Sequence, residues 1–235
     1  KIEDVDYKAA QQYMDHLFVM SYDYNGGWSN TSLGHQANLY QATNGSANKR
    51  YNTNEAVNLL LAQGVDSEKL VIGAAMYGRG WKGVSGYQGN DPFTGTATGK
   101  IKGTWEDGVL VYRHIVNGHM GAGWEYNYDE TAEAATLFKP STGELITYDD
   151  ERSVKAKGQY VLTHKLGGLF SWEIDADNGD ILNAMHEGLG HGSGVTPPAN
   201  KPPLANAGSD LKVTGPTEVT LDGSASHDPE NSALS

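Results

Sequence analysis

The 235 residues contain no cysteine, which excludes a disulfide scaffold, a cysteine-based zinc site and a thiol nucleophile. Apolar runs are short: Leu17-Phe18-Val19-Met20 and Leu59-Leu60-Leu61-Ala62 fall far below the ~18 residues a bilayer span requires. Positive charge is scarce. Seventeen Lys and Arg stand against 29 Asp and Glu, a net charge of −12, which argues against a phosphate-tracking nucleic-acid binder. The eight His form no His-Glu-x-x-His pair, and no Gly-x-Ser-x-Gly elbow, P-loop or Gly-x-Gly-x-x-Gly loop occurs. The charged opening Lys1-Ile2-Glu3-Asp4-Val5-Asp6 is no signal peptide, so the compartment cannot be read from it. Both ends read as cut, and the chain is expected to be a piece of a longer protein.

What is present is a globular composition, 38% hydrophobic and 20% charged, with 30 Gly to supply turns. One pattern occurs three times: a helix, a short break, then an uncharged strand. Helical spacing over Asp6–His16 precedes a strand over Leu17–Tyr24. A helix capped by Asn54, with Val57, Leu60 and Leu61 on one face and Gly64 at its close, precedes a strand over Leu70–Tyr77. A helix from about Ser153 to Lys165, weakened by Gly158, precedes the strand Leu169–Ile174. Uncharged strands alternating with helices predict an α/β fold with a parallel sheet. Ionisable groups first appear at the strands' C-terminal ends: Asp23, Arg79, then Glu173, Asp175 and Asp177. In a (β/α)8 barrel that end carries the active site.

Between these units, Gly-Thr turns, the alternating Trp124–Tyr128 and a hairpin around Ser141-Thr142-Gly143 predict a small α+β insertion. The division is thus barrel elements over 1–80, an insertion over 81–148 and a last helix and strand over 149–190. A Pro/Gly/Ser linker over 191–203 and an incomplete all-β module over 204–235 complete the chain.

Each motif has a plain alternative. Tyr22-Asp23 could grip a polar group or merely pack and cap a loop, and Arg79 between Gly78 and Gly80 could be a ligand fork or a surface turn. Trp172 offers a stacking face. Asp177 and Asn178 read as caps of the next helix; a calcium loop fails because Gly179 and His186 occupy ligand positions.

Together, Met-Ser-Tyr-Asp-Tyr at 20–24, Ala-Met-Tyr-Gly-Arg-Gly-Trp at 75–81 and Phe-Ser-Trp-Glu-Ile-Asp at 170–175 resemble the last three strands of a bacterial glycoside hydrolase of family 18, of the chitinase A type, over roughly residues 1–190. Residues 205–229 resemble the start of a polycystic-kidney-disease (PKD) type β-sandwich. The resemblance implies the C-terminal part of a TIM barrel, hydrolysis of β-1,4-linked N-acetylglucosamine polymers with retention through the substrate's own acetamido group, secretion, a monomer, and neither metal nor cofactor. It implies that Tyr22 and Asp23 are catalytic, holding the acetamido group and the distorted sugar. Met20, Trp28, Tyr77, Arg79 and the platform Trp172 would bind substrate, as would Trp105, Glu106 and Glu173 along the cleft wall.

The family's proton-donating Glu, at the end of Asp-x-x-Asp-x-Asp-x-Glu, is missing from these residues; Glu173–Asp180 matches that spacing only in reverse. Residues 1–235 alone are therefore expected to be inactive and, with strands of a barrel unpaired, poorly stable. A non-catalytic chitin-binding lectin on the same scaffold is the alternative. An unrelated α/β protein is a third reading, favoured if Trp172→Ala and Asp23→Ala left oligosaccharide binding unchanged in the intact parent protein.

Overall fold

The computed structural model describes residues 2–192 and, beyond them, positions 215, 216, 220, 224 and 226. The chain divides into two units, Lys1–Gly194 and Val195–Ser235. Nearly all of the linker and of the PKD-type stretch thus lies outside the described residues. Every candidate site residue belongs to the first unit.

That unit is mixed α/β and contains two sheets. The first is parallel and three-stranded, in the order β1 (Leu17–Val19), β2 (Leu70–Ala75) and β9 (Gly168–Trp172). Leu17 pairs with Leu70, and Ile72 with Leu169. The second is antiparallel: β4 (Gly99–Lys100), β3 (Tyr77–Lys82), β8 (Glu144–Tyr148), β7 (Ala134–Lys139) and β6 (Glu125–Asp129), with β5 (Val109–Val111) also pairing to β3. The hairpin expected around Ser141-Thr142-Gly143 joins β7 to β8.

The expected strand over Leu17–Tyr24 pairs only as far as Val19. There a side chain replaces the ladder: Gly73 N–H donates to Ser21 Oγ at 2.9 Å, and Ser21 Oγ donates to the Gly73 carbonyl at 3.3 Å. The strand expected over Leu70–Tyr77 also divides. Its parallel pairing ends at Ala75, Met76 N–H bonds the Trp172 carbonyl at 2.8 Å, and Tyr77 opens the second sheet. The boundary expected at residue 81 therefore falls inside β3.

The first helix is the largest departure. Asp6 caps a single turn, α1 (Tyr7–Ala10), followed by a 3-10 turn over Gln11–Tyr13, because the apolar stripe that should continue it, Tyr13 and Met14, is exposed rather than packed. Helix α2 (Thr53–Ala62) is capped by Asn52, not Asn54: Asn52 Oδ1 accepts from Glu55 N–H at 2.8 Å, while Asn54 takes the Tyr160 hydroxyl. A short helix, α3, runs over Tyr112–Gly118. Helix α4 (Glu151–His164) starts two residues before the expected Ser153, because Asp150 and Ser153 form a reciprocal capping box. The last helix is α5 (Asp180–Gly188), whose first N–H groups bond Asp177, the capping role expected of it. Gly158, a weak helix former, has a packing reason. A Cβ there would sit 2.4 Å from the Gly188 backbone, so the close crossing of α4 and α5 requires glycine.

Leu17, Leu70 and Ile72 on the parallel sheet pack against Val57 and Leu60 of α2 and Val161 of α4. Each such side chain contributes roughly 1.5–3 kcal/mol on full burial. The opposite face of that sheet is open. Phe18 is 64% exposed and stacks on Phe170 at 5.1 Å, and Met20 is 71% exposed.

A buried ion pair joins the two sheets. Lys157 Nζ on α4 lies 2.5 Å from Asp149 Oδ2, with both side chains excluded from solvent. Asp149 also accepts from Ala75 N–H at 3.0 Å and Ser153 Oγ at 2.8 Å, and Lys157 reaches the Gly73 carbonyl at 3.4 Å. Removing one partner strands a buried charge. Lys157→Met is expected to cost about 3–5 kcal/mol in urea unfolding of the chain. The double variant Asp149→Leu/Lys157→Met should recover only part of that loss, since Ala75 N–H remains unpaired.

Candidate functional site

The parallel strands end together. Beyond β1 come Met20, Tyr22 and Asp23; beyond β2 comes Tyr77, with Arg79 two residues further along β3; and β9 ends at Trp172, followed by Glu173. These residues line one cavity of about 490 Å³, completed by Trp105 and Glu106 from the segment before β5. Nine of the ten residues expected from the sequence thus meet at one place. The tenth, Trp28, is not in the lining but touches it through Arg79, whose guanidinium lies 5.3 Å from the Trp28 ring centre and 5.4 Å from that of Tyr77.

Asp23 organises the polar half. Its backbone is left-handed, φ +60°, a conformation Asp tolerates better than most residues. This aims the carboxylate at three donors. Tyr77 Oη donates to Oδ1 at 2.7 Å, and the Arg79 fork engages both oxygens, Nε to Oδ1 at 2.8 Å and Nη2 to Oδ2 at 2.9 Å. Glu106 stands 3.9 Å from Arg79 Nη1. Burial and then the Asp23 charge push the Tyr77 phenol up, and the same two causes raise Tyr22. Burial would lower Arg79, but the hydrogen bond and charge of Asp23 outweigh it and the guanidinium is raised overall. At neutral pH both phenols are therefore O–H groups able to donate.

The apolar half is a platform. Trp172 is 56% exposed at the end of β9. The Tyr22 ring meets Phe170 edge-on at 6.0 Å and Tyr77 at 6.1 Å. Gly73 makes this possible, because a Cβ there would lie 2.6 Å from the Tyr22 ring. Among the described residues no group of three or more His, Asp or Glu could hold a metal ion. Chemically, the site offers a flat aromatic face beside neutral phenol donors and a fixed carboxylate, the requirements for gripping an uncharged, hydroxyl- or amide-bearing ring.

Four contributors carry no motif. Gln36, fully buried, accepts from Asp23 N–H at 3.1 Å and donates to the Tyr77 carbonyl at 2.9 Å, tying the two loops together. Only a fold reveals such a loop amide. Val109 and Val111 line the cavity opposite Arg79 and Tyr77 in the β3–β5 register, and the continuous apolar run Val109-Leu110-Val111 has no alternation to mark them in the sequence. Ala176 completes the wall.

The family model described as glycosyl hydrolases family 18 matches residues 1–177. The chain belongs to that family. It is 54% identical over 187 residues to a probable endochitinase of Orgyia pseudotsugata multicapsid polyhedrosis virus, covering 80% of this chain and 34% of the relative. It is 45% identical to chitinase A of Pseudoalteromonas piscicida, covering all of this chain and 32% of the relative. The chain spans about a third of the length of those curated relatives. Among solved structures, a family 18 N-acetylglucosaminidase from Paenibacillus barengoltzii superposes with a TM-score of 0.70 at 33% identity, over 80% of this chain and 52% of that one.

Gln36→Leu keeps the volume and removes both loop bonds. It is expected to cost about 2 kcal/mol in urea unfolding, with the buried Tyr77 carbonyl left unpaired.

Proposed function

We propose that this chain supplies one wall of the sugar-binding groove of a chitin hydrolase. The observation that carries the reading is the convergence of Tyr22, Arg79 and Trp172 on one cavity, about 490 Å³, a size ordinary for small-molecule sites. A sugar ring stacks on Trp172. The neutral Tyr22 phenol hydrogen-bonds the acetamido group of that sugar, and Asp23, held by Tyr77 and Arg79, binds the distorted ring. The acetamido oxygen then attacks the anomeric carbon as the leaving sugar departs, an exception to the two-carboxylate scheme. Met20 lies beneath the sugar; Trp105, Glu106 and Glu173 line the cleft wall; Trp28, braced by Arg79, extends the groove.

On this reading the parallel sheet is the last part of a (β/α)8 barrel, the second sheet is an insertion, and residues 204–235 begin a PKD-type module. The protein acts outside the cell as a monomer, where its polymeric substrate lies. No helix among the described residues is long and apolar enough to cross a membrane. The proton donor is absent from these residues, so by themselves they do not turn over chitin.

Calorimetric titration with N-acetylglucosamine tetramer tests this. The chain should bind it, and Trp172→Ala and Asp23→Ala should each weaken binding about tenfold or more, a loss of roughly 1.4 kcal/mol or above, with unaltered far-ultraviolet circular dichroism. Unchanged binding in both variants sinks the reading. Appreciable release of reducing sugar by residues 1–235 would refute the placement of the acid.

A further inference from the structure

Gln36 lies between β1 and α2, in no helix or strand, yet it is fully buried. A buried amide and the backbone that carries it must find partners. Those of Gln36 lie beside the Asp23–Arg79 fork. Its N–H donates to Thr147 Oγ1 at 3.1 Å, and its carbonyl accepts from Tyr24 N–H at 3.0 Å. Thr147 on β8 is the register partner of Arg79 on β3. The side chain accepts from Asp23 N–H on Oε1 at 3.1 Å and donates from Nε2 to the Tyr77 carbonyl at 2.9 Å. One residue thus holds the acid of the fork from one side. From the other, through Tyr77 and Thr147, it holds the strand that carries the guanidinium.

The direction of the amide is dictated by its partners. A peptide N–H can only donate and a carbonyl can only accept, so Oε1 must face Asp23 and Nε2 must face Tyr77. The bond to Asp23 N–H falls on the residue whose backbone is left-handed, φ +60°, a conformation that persists only where its surroundings hold it. Gln36 itself is not in the lining of the groove. The titratable groups around it are Asp23 and Tyr24 after β1, Tyr77 and Arg79 on β3, Tyr22 packed edge-on to Tyr77, and neighbouring His35, whose Nε2 meets Asp129 at 3.3 Å. From β8 comes the hydroxyl of Thr147.

We infer that Gln36 is a positioning residue for sugar binding: its amide, accepting at one end and donating at the other, sets Asp23 against Arg79 and Tyr77 before a sugar arrives. Without the acceptor, Asp23 N–H loses its partner and the backbone relaxes, which swings the carboxylate off the fork. Without the donor, the Tyr77 carbonyl is unpaired and the strand end carrying the phenol and guanidinium is released. The inference deepens the reading of the groove and rests on it for the sugar, though not for the geometry of the fork.

The test changes one end of the amide in the full chain. Gln36→Glu keeps the shape. Protonated, the new carboxyl accepts from Asp23 N–H and donates to the Tyr77 carbonyl; ionised, it turns a second acceptor on that carbonyl and repels Asp23. Burial beside Asp23 can carry such a carboxyl from ~4.3 to ~8 or above. Measurements at pH 6 and pH 9 therefore report its two forms, both clear of the isoelectric point near 5.0. In calorimetric titration with N-acetylglucosamine tetramer, Gln36→Glu should bind about tenfold or more weakly than the unsubstituted chain at pH 9, and within about threefold of it at pH 6. Gln36→Leu should be weakened about tenfold at both. The Asp23 carboxyl carbon resonance, assigned through Asp23→Asn, is read without ligand. It should move toward that of a solvated aspartate in Gln36→Leu at both pH values and in Gln36→Glu at pH 9 alone. Equal loss at the two pH values in Gln36→Glu, or an unmoved resonance in folded Gln36→Leu, overturns the inference. So does loss of the far-ultraviolet circular dichroism of Gln36→Glu in step with binding, the mark of a general structural role. Should Gln36→Leu fail to fold, Gln36→Glu decides by itself. If the unsubstituted chain binds no tetramer, the groove reading falls and the resonance alone judges Gln36.

Discussion

The buried pair Asp149–Lys157 is where the two sheets are made one body. Asp149 comes directly after β8, Lys157 sits on α4, and their remaining bonds reach Gly73 and Ala75 on β2. Two charges out of water cost several kcal/mol each, and only complete pairing offsets that cost. Completeness is what this junction has: both Asp149 oxygens are engaged, and Lys157 reaches a carbonyl besides the carboxylate. Because Ala75 N–H is among the donors, the pair fixes the end of β2, the point from which Tyr77 and Arg79 depart. The geometry of the groove therefore depends on a contact that touches no ligand.

The same strand end is held from the other side by Ser21, which replaces the ladder beyond Val19 with its hydroxyl and leaves Tyr22 and Asp23 free to turn. Gln36 then bonds Asp23 to the Tyr77 carbonyl. Four buried polar side chains, Asp149, Lys157, Ser21 and Gln36, thus place a carboxylate that sits partly in solvent. Such support is what a preorganised site needs: the Arg79–Asp23 fork is arranged by its surroundings before any ligand arrives.

The sequence made the site legible because a strand's body must be uncharged when both faces are covered, so ionisable residues at the exits stand out. Asp23, Arg79 and Glu173 were found by that contrast, and the three motifs carried the family. The failures share a cause. Helical spacing over 6–16 promised an amphipathic helix, but Tyr13 and Met14 are exposed rather than packed, and propensity alone sustains one turn. The run Leu70–Tyr77 reads as one strand, yet Tyr112 N–H bonds the Met76 carbonyl and Tyr77 pairs with Val111, so the chain changes sheets, a decision made by partners far along the chain. Asn52 and Asn54 are equally good caps locally. Tyr160, more than a hundred residues away, engages Asn54 and so assigns their roles.

The character of the groove also bears on the division of labour proposed for the whole protein. A general acid must hold its proton near neutrality and release it in the transition state, which demands burial or a like-charged neighbour. Both Asp23 oxygens are taken by a guanidinium and a phenol. Glu106 lies open to solvent beside that same guanidinium, and Glu173 is exposed. On the function proposed, the phenols, the fork and the indole hold the sugar. On that proposal, binding and orientation are concentrated in these strand ends, and the proton reaches the same sugar from another wall.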